Sequence, residues 1–173
     1  MGTIDTLGWG YRLHADADHL DLLLFERFRA EARTAIAVGQ LETALAAMDK
    51  AVELWRAPLL GNVDSVALER DILPDLTESY LTAIEERNEL RLRLRRYDTL
   101  VAELPALIRA HPFRERLVGQ LMFAFTHTGR RVDALLAYDA LRRSLNADLG
   151  IDPGNMLRDL QTKILRDDPD LAR

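Results

Sequence analysis

The sequence predicts an all-α fold: tetratricopeptide-like antiparallel helix pairs, about seven helices in all, behind a short non-helical N-terminal segment. Three observations carry that expectation. Aromatic residues are 6% of the 173 positions, and Gly and Pro number only 9 and 6, while Leu, Ala, Arg and Glu, which lose little freedom in a helix, dominate. Apolar residues recur at i, i+3 and i+4 between glycine and proline punctuation. Arg95 and Gly129, both at turn-like positions, stand 34 residues apart, the period of a tetratricopeptide helix pair.

The elements follow in order. Gly8-Trp9-Gly10-Tyr11-Arg12-Leu13 places glycines and aromatics where a strand or hairpin end fits. Asp16 or Asp18 then caps a helix whose apolar face reads Leu20, Leu23, Leu24, Phe28, Ala32, Ala35 and Ile36, and Gly39 stops it. A second helix over about 40–56 buries Leu41, Ala44, Leu45, Met48, Ala51, Val52 and Trp55 and ends at Ala57-Pro58. After a loop from Leu59 to Val63, Asp64-Ser65 caps a long stretch to Arg96 that Pro74 must kink or interrupt, because proline has no N–H and collides with the preceding turn. Leu76, Tyr80, Leu81, Ile84, Asn88, Leu90, Leu92 and Leu94 carry it onward. Helices over about 98–110, containing Pro105, then 113–128 and 131–148 follow, the last two closed by Gly129 and Gly150. Asp152-Pro153 supplies cap and first-turn proline for a last helix to Arg166. Residues 1–14 thus read as a separate N-terminal piece, 15–166 as the helical domain and 167–173 as a frayed tail.

A repeat runs through these elements. Gly39, Arg95 and Gly129 are equivalent turns; five residues on lie Ala44, Leu100 and Ala134, and twelve on lie Ala51, Leu107 and Leu141. Each helix pair has two apolar faces that only stacking can cover, and the stack leaves a groove lined by the first helix of each pair. Such grooves bind peptides or partner helices more often than they perform chemistry. Carried over from peptide-binding tetratricopeptides, the lining positions are Arg29, Arg33, Glu85, Glu89, Arg93, Arg116, Phe123, Thr126 and His127.

Charge and motif content narrow the function classes. With 23 Lys and Arg against 28 Asp and Glu, the net charge of −5 argues against a chain devoted to gripping phosphates. The absence of cysteine removes disulfides, thiolate zinc sites and cysteine nucleophiles, and fits a reducing compartment. No stretch reads as a signal peptide or a membrane span, so a cytoplasmic protein is expected. His14, His19, His111 and His127 lack metal-ligand spacing, and no phosphate-cradling loop or G-x-S-x-G nucleophile turn occurs. Neither catalysis, nor a metal, nor a cofactor is expected. Arg87, Arg91 and Arg95 form a stripe, yet Glu85, Glu86 and Glu89 share its turns and no aromatics interleave, which favours a structural or protein-contact role over phosphate tracking. Leu117, Leu121 and Phe125 read as core, with Phe123 and His127 on the opposite face.

Four stretches resemble the bacterial transcriptional activation domain of Streptomyces antibiotic regulatory protein (SARP) type regulators. They are Gly10-Tyr11-Arg12-Leu13 with the acidic entry from Asp16 to Phe25; Ala51 to Leu59; His111-Pro112-Phe113-Arg114-Glu115-Arg116-Leu117 with Gln120-Leu121-Met122; and Gly129-Arg130 through Ala134-Leu135 and Tyr138 to Leu149-Gly150-Ile151-Asp152-Pro153-Gly154. The resemblance implies a helical domain that follows a winged-helix DNA-binding domain of the OmpR type. Residues Thr6 to Leu13 look like that domain's terminal wing hairpin, with the recognition helix upstream of this chain, as in an excised fragment of a larger regulator, the preferred reading, or a natural short form. It further implies a regulatory protein–protein interaction or dimerisation domain of a pathway-specific activator. Its partners would be a second copy, RNA polymerase or both, and DNA only through the winged helix. The competing expectation is a sensor for a small effector seated near Phe123, Phe125 and Tyr138, or a stand-alone adaptor.

Overall fold

The computed structural model describes residues 3–14, 20–55 and 65–172. Strands β1 (Thr3–Leu7) and β2 (Gly10–His14) pair antiparallel, Thr3 opposite His14 and Leu7 opposite Gly10. Eight α-helices follow: α1 (Asp21–Ala37), α2 (Leu41–Glu53), α3 (Val66–Asp71), α4 (Leu73–Arg93), α5 (Tyr97–Ala110), α6 (Glu115–His127), α7 (Arg131–Leu149) and α8 (Asn155–Arg166). The chain divides into two compact units, residues 1–90 and 91–173.

The three predicted turns share one geometry. Gly39, Arg95 and Gly129 all take the left-handed conformation, with φ of 76°, 58° and 74°. After each, the next backbone N–H closes on the carbonyl five residues back: Gln40 on Ala35, Arg96 on Arg91 and Arg130 on Phe125. That closure satisfies carbonyls a helix end would otherwise orphan. The inward positions five residues on, Ala44, Leu100 and Ala134, are fully buried. The repeat read from the sequence is therefore physical, with Arg95 forced into the backbone that glycine adopts freely.

The first unit packs α1 on α2. Phe25, Ala32 and Ala35 are buried from α1, and Ala44, Leu45, Ala47, Met48, Ala51 and Val52 from α2. Of the expected α1 face, Ala32 and Ala35 are buried and Leu20, Leu24 and Phe28 half-buried, but Leu23 and Ile36 are exposed, and Phe25, outside that face, is only 1% exposed. Leu22 to Phe25 are consecutive apolar residues, and such a run leaves helix phase undetermined until a partner chooses one side. Phe25 meets Trp55 edge-on at 4.9 Å, and Trp55 lies 5.3 Å from Tyr80 of α4. The expected caps Asp16, Asp18 and Asp64, the stop at Ala57-Pro58 and the loop at 59–63 lie outside the described residues. Ser65 does cap α3, its Oγ accepting from the Leu68 N–H at 3.4 Å.

Pro74 divides the long stretch in two, giving eight helices where seven were expected. Ile72, at φ −116°, separates α3 from α4. Pro74 sits in the first turn of α4, where the missing N–H has no helical acceptor to serve.

The second unit is closed by α8. Its start differs from expectation: Gly154 is the N-cap, Pro153 lies buried just outside, and Asp152 does not cap. Instead the Glu115 carboxylate, at the start of α6, accepts the Gly154 N–H at 2.9 Å. On the same helix, a Cβ at Gly119 would stand 3.2 Å from Leu157 Cδ2, so the missing side chain admits α8. Leu157 and Ile164 are buried, as are Leu117, Val118, Met122, Leu141 and Leu145. Beyond α8 the expected fray is a short 3₁₀ turn, Pro169–Ala172, with Leu171 buried; burial of that leucine supplies what the polar sequence alone did not advertise.

Candidate functional site

The predicted groove residues fall into two sets, one in each unit. In the first, Arg29 of α1 is held by the Glu86 carboxylate through three contacts of 3.1–3.2 Å, and its guanidinium lies 5.4 Å from the Phe25 ring centre. Such a forked, partly buried pair is rigid and already neutralised. Arg33 and Glu89 are exposed on α1 and α4. Glu85 is 4% exposed, which removes it from any open lining. Glu86, its neighbour, is the carboxylate that the sequence reading left out and that Arg29 uses.

The arginine stripe is largely structural. Arg87 lies 3.8 Å from Asp49, and Arg91 reaches Glu103 at 2.6 Å with only 8% of the residue exposed. Arg95 has left the helix for the left-handed turn and does not continue the stripe.

The second set lies in unit 2, on α4 and α6. Phe123 and His127, one helical turn apart on α6, stack at 4.2 Å with 26° between their planes. Tyr97, the first residue of α5, lies tilted by 30° to His127 at 4.6 Å and stands 6.5 Å from Phe123. The three rings thus form one compact cluster. The His127 Nδ1 donates to the Phe123 carbonyl at 2.9 Å, which fixes Nε2 as the acceptor of the neutral ring. Thr126 is likewise turned to its own helix, its hydroxyl donating to the Met122 carbonyl at 2.9 Å. Arg93 and Arg116 are exposed. Tyr97 was missed because the one aromatic beginning α5 gives no periodic signal; its place just after an equivalent turn was the available clue.

Phe125 does not join this cluster. It is 8% exposed on the core side of α6, with the Arg130 guanidinium 4.5 Å from its ring centre. Tyr138 is also in the core, and burial pushes its phenol above the ordinary tyrosine value. Phe123, by contrast, is half-buried. Among the described residues no cluster of three or more His, Asp or Glu is placed to hold a metal, and no helix is long and apolar enough to cross a membrane.

Residues 20–165, from the start of α1 to the end of α8, match the family model described as bacterial transcriptional activator domain. The chain belongs to that family. It is 38% identical over 164 residues to the regulatory protein DnrI of Streptomyces peucetius, covering 95% of this chain and 60% of DnrI. It is equally identical to the regulatory protein AfsR of Streptomyces griseus, of which it covers 17%. A solved structure of Mycobacterium tuberculosis EmbR in complex with a low-affinity phosphopeptide superposes with a TM-score of 0.89 at 34% identity, over 96% of this chain and 44% of that one. This activator domain thus spans three-fifths or less of each of these relatives. The Glu115–Gly154 bond joins the His111–Leu117 and Leu149–Gly154 stretches in space.

Proposed function

We propose that this chain is the interaction domain of a pathway-specific transcriptional activator and works by docking rather than by chemistry. The observation that carries the reading is the family match over nearly the whole helical body, shared with relatives named as regulatory proteins. The half-buried aromatic cluster on unit 2 supports it, because rings held against one another offer contact area at little entropic cost. Docking would pair two DNA-binding domains on direct-repeat sites, contact RNA polymerase, or both, in the cytoplasm. The contact residues are Arg93, Arg116, Phe123, Thr126 and His127 of unit 2, with Arg29, Arg33 and Glu89 of unit 1 as a separate set.

Sedimentation velocity measures self-association, and interferometry against purified RNA polymerase holoenzyme measures recruitment. Phe123→Ala and Arg93→Glu weaken at least one of these by about tenfold while the helical circular-dichroism signal stays intact. Unchanged binding in both variants overturns the unit 2 surface. The chain alone gives no gel shift with duplex DNA at ~150 mM salt, where isolated phosphate contacts fade; a shift that survives would assign it DNA binding of its own.

A further inference from the structure

Arginines gather at two of the repeat's equivalent turns. After Gly129, Arg130 is tied to Asp133 at 2.7 Å and lies over Phe125, and Arg131 donates to the Leu165 carbonyl at 2.6 Å. At the Arg95 turn, Arg96, which stands where Arg130 does, is also engaged, but Arg93 and Arg95 are exposed and form no ion pair or side-chain hydrogen bond among the described residues. Arg95 also holds φ at 58°, where both sister turns have glycine. A side chain at positive φ is locally disfavoured, so Arg95 carries one that the turn itself does not require. Two residues on, Tyr97 opens the cluster with His127 and Phe123, so exposed cations and half-buried rings are neighbours along the chain.

We infer that this turn and cluster form a docking site for an extended acidic segment of a partner protein, one carrying an apolar side chain between its carboxylates. The inference rests on the docking reading above and gives its partner a chemistry. Arginine forks pair two-pronged with carboxylates, and ring surfaces accept an apolar side chain. Nucleic acid fits less well. Two arginines release few counterions, the three rings pack against one another rather than standing apart for bases, and the chain's net charge is −5.

The substitution Arg95→Gly tests this without risk to the fold, since it installs the residue both sister turns use. The probe is a fluorescein-labelled decapeptide alternating glutamate with leucine, read by anisotropy against the full chain at ~50 mM salt. Its glutamine counterpart and a short duplex DNA are parallel arms. Wild type binds the acidic peptide and not the glutamine form. Arg95→Gly weakens that binding about fivefold while the melting temperature rises, and Arg95→Lys, which keeps the charge, retains most of it. No binding of the acidic peptide, equal binding of the glutamine peptide, tighter binding of duplex DNA, or unchanged affinity in Arg95→Gly overturns the inference. If Arg95→Gly still self-associates or captures polymerase at full strength, docking stands and its acidic chemistry falls.

Discussion

Residues 1–90 carry 8 Lys and Arg against 17 Asp and Glu, whereas residues 91–173 carry 15 against 11, and the two units close their helices by correspondingly different means. In the acidic unit the helices are bridged by long side chains: Arg29 to Glu86, Arg87 to Asp49, and Phe25 through Trp55 to Tyr80. In the basic unit the backbone itself comes close, with Gly119 beneath Leu157 and the Gly154 N–H on Glu115. Carboxylate-rich helices keep cations occupied inside the fold. The second unit uses such bridges too, Arg91 to Glu103 and Arg131 to the Leu165 carbonyl, yet its surplus of cations leaves Arg93 and Arg95 without one among the described residues.

Substitutions can break that contrast in either unit, and the readouts separate because both tryptophans lie in the first. The largest expected effect is Phe25→Ala, which removes a side chain 1% exposed and the edge-on partner of Trp55. It costs about 3–5 kcal/mol, seen as an early transition in tryptophan emission. If emission and far-ultraviolet signals still melt as in wild type, the aromatic bridge does not hold that unit. Gly119→Ala comes next. Its added methyl meets the fully buried Leu157 at 3.2 Å, and that crowding outweighs the gain of about 1 kcal/mol in helix propensity, so stability falls by about 1–2 kcal/mol, followed by circular dichroism in urea. An unaltered midpoint would mean that α8 has room to spare.

Glu115→Ala removes the acceptor of the Gly154 N–H and costs about 1 kcal/mol, with the midpoint shifted and the slope of the urea transition kept. The smallest effect is a dependence on alkaline pH. Burial raises the Tyr138 phenol above its ordinary value near 10, so the unfolded chain loses that proton first and stability falls as pH climbs past about 10. Tyr138→Phe flattens that part of the decline. A decline of undiminished slope would place its origin elsewhere.

Much of the fold was legible because its punctuation is chemical. Gly39, Gly129 and Gly150 sit at positive φ, Pro74 opens a helix, and Leu117, Leu121 and Phe125 form the inner stripe of α6. What escaped depended on partners far along the chain. The phase of α1 is chosen by what meets Phe25, and Glu115 caps a helix 39 residues away, which no local cap rule describes. Glu85 looked like surface because charge usually marks it, yet it is buried. The Phe123–His127 face was readable from spacing alone; the ring that completes the cluster was not.

The Gly154 amide, finally, belongs to no helix ladder, and a single carboxylate from α6 holds it. Its rate of exchange with deuterated water therefore gauges whether α6 and α8 are fastened, independently of how the surrounding helices breathe. One resonance in a proton–nitrogen spectrum becomes a latch sensor, already supplied by the sequence and needing no added probe.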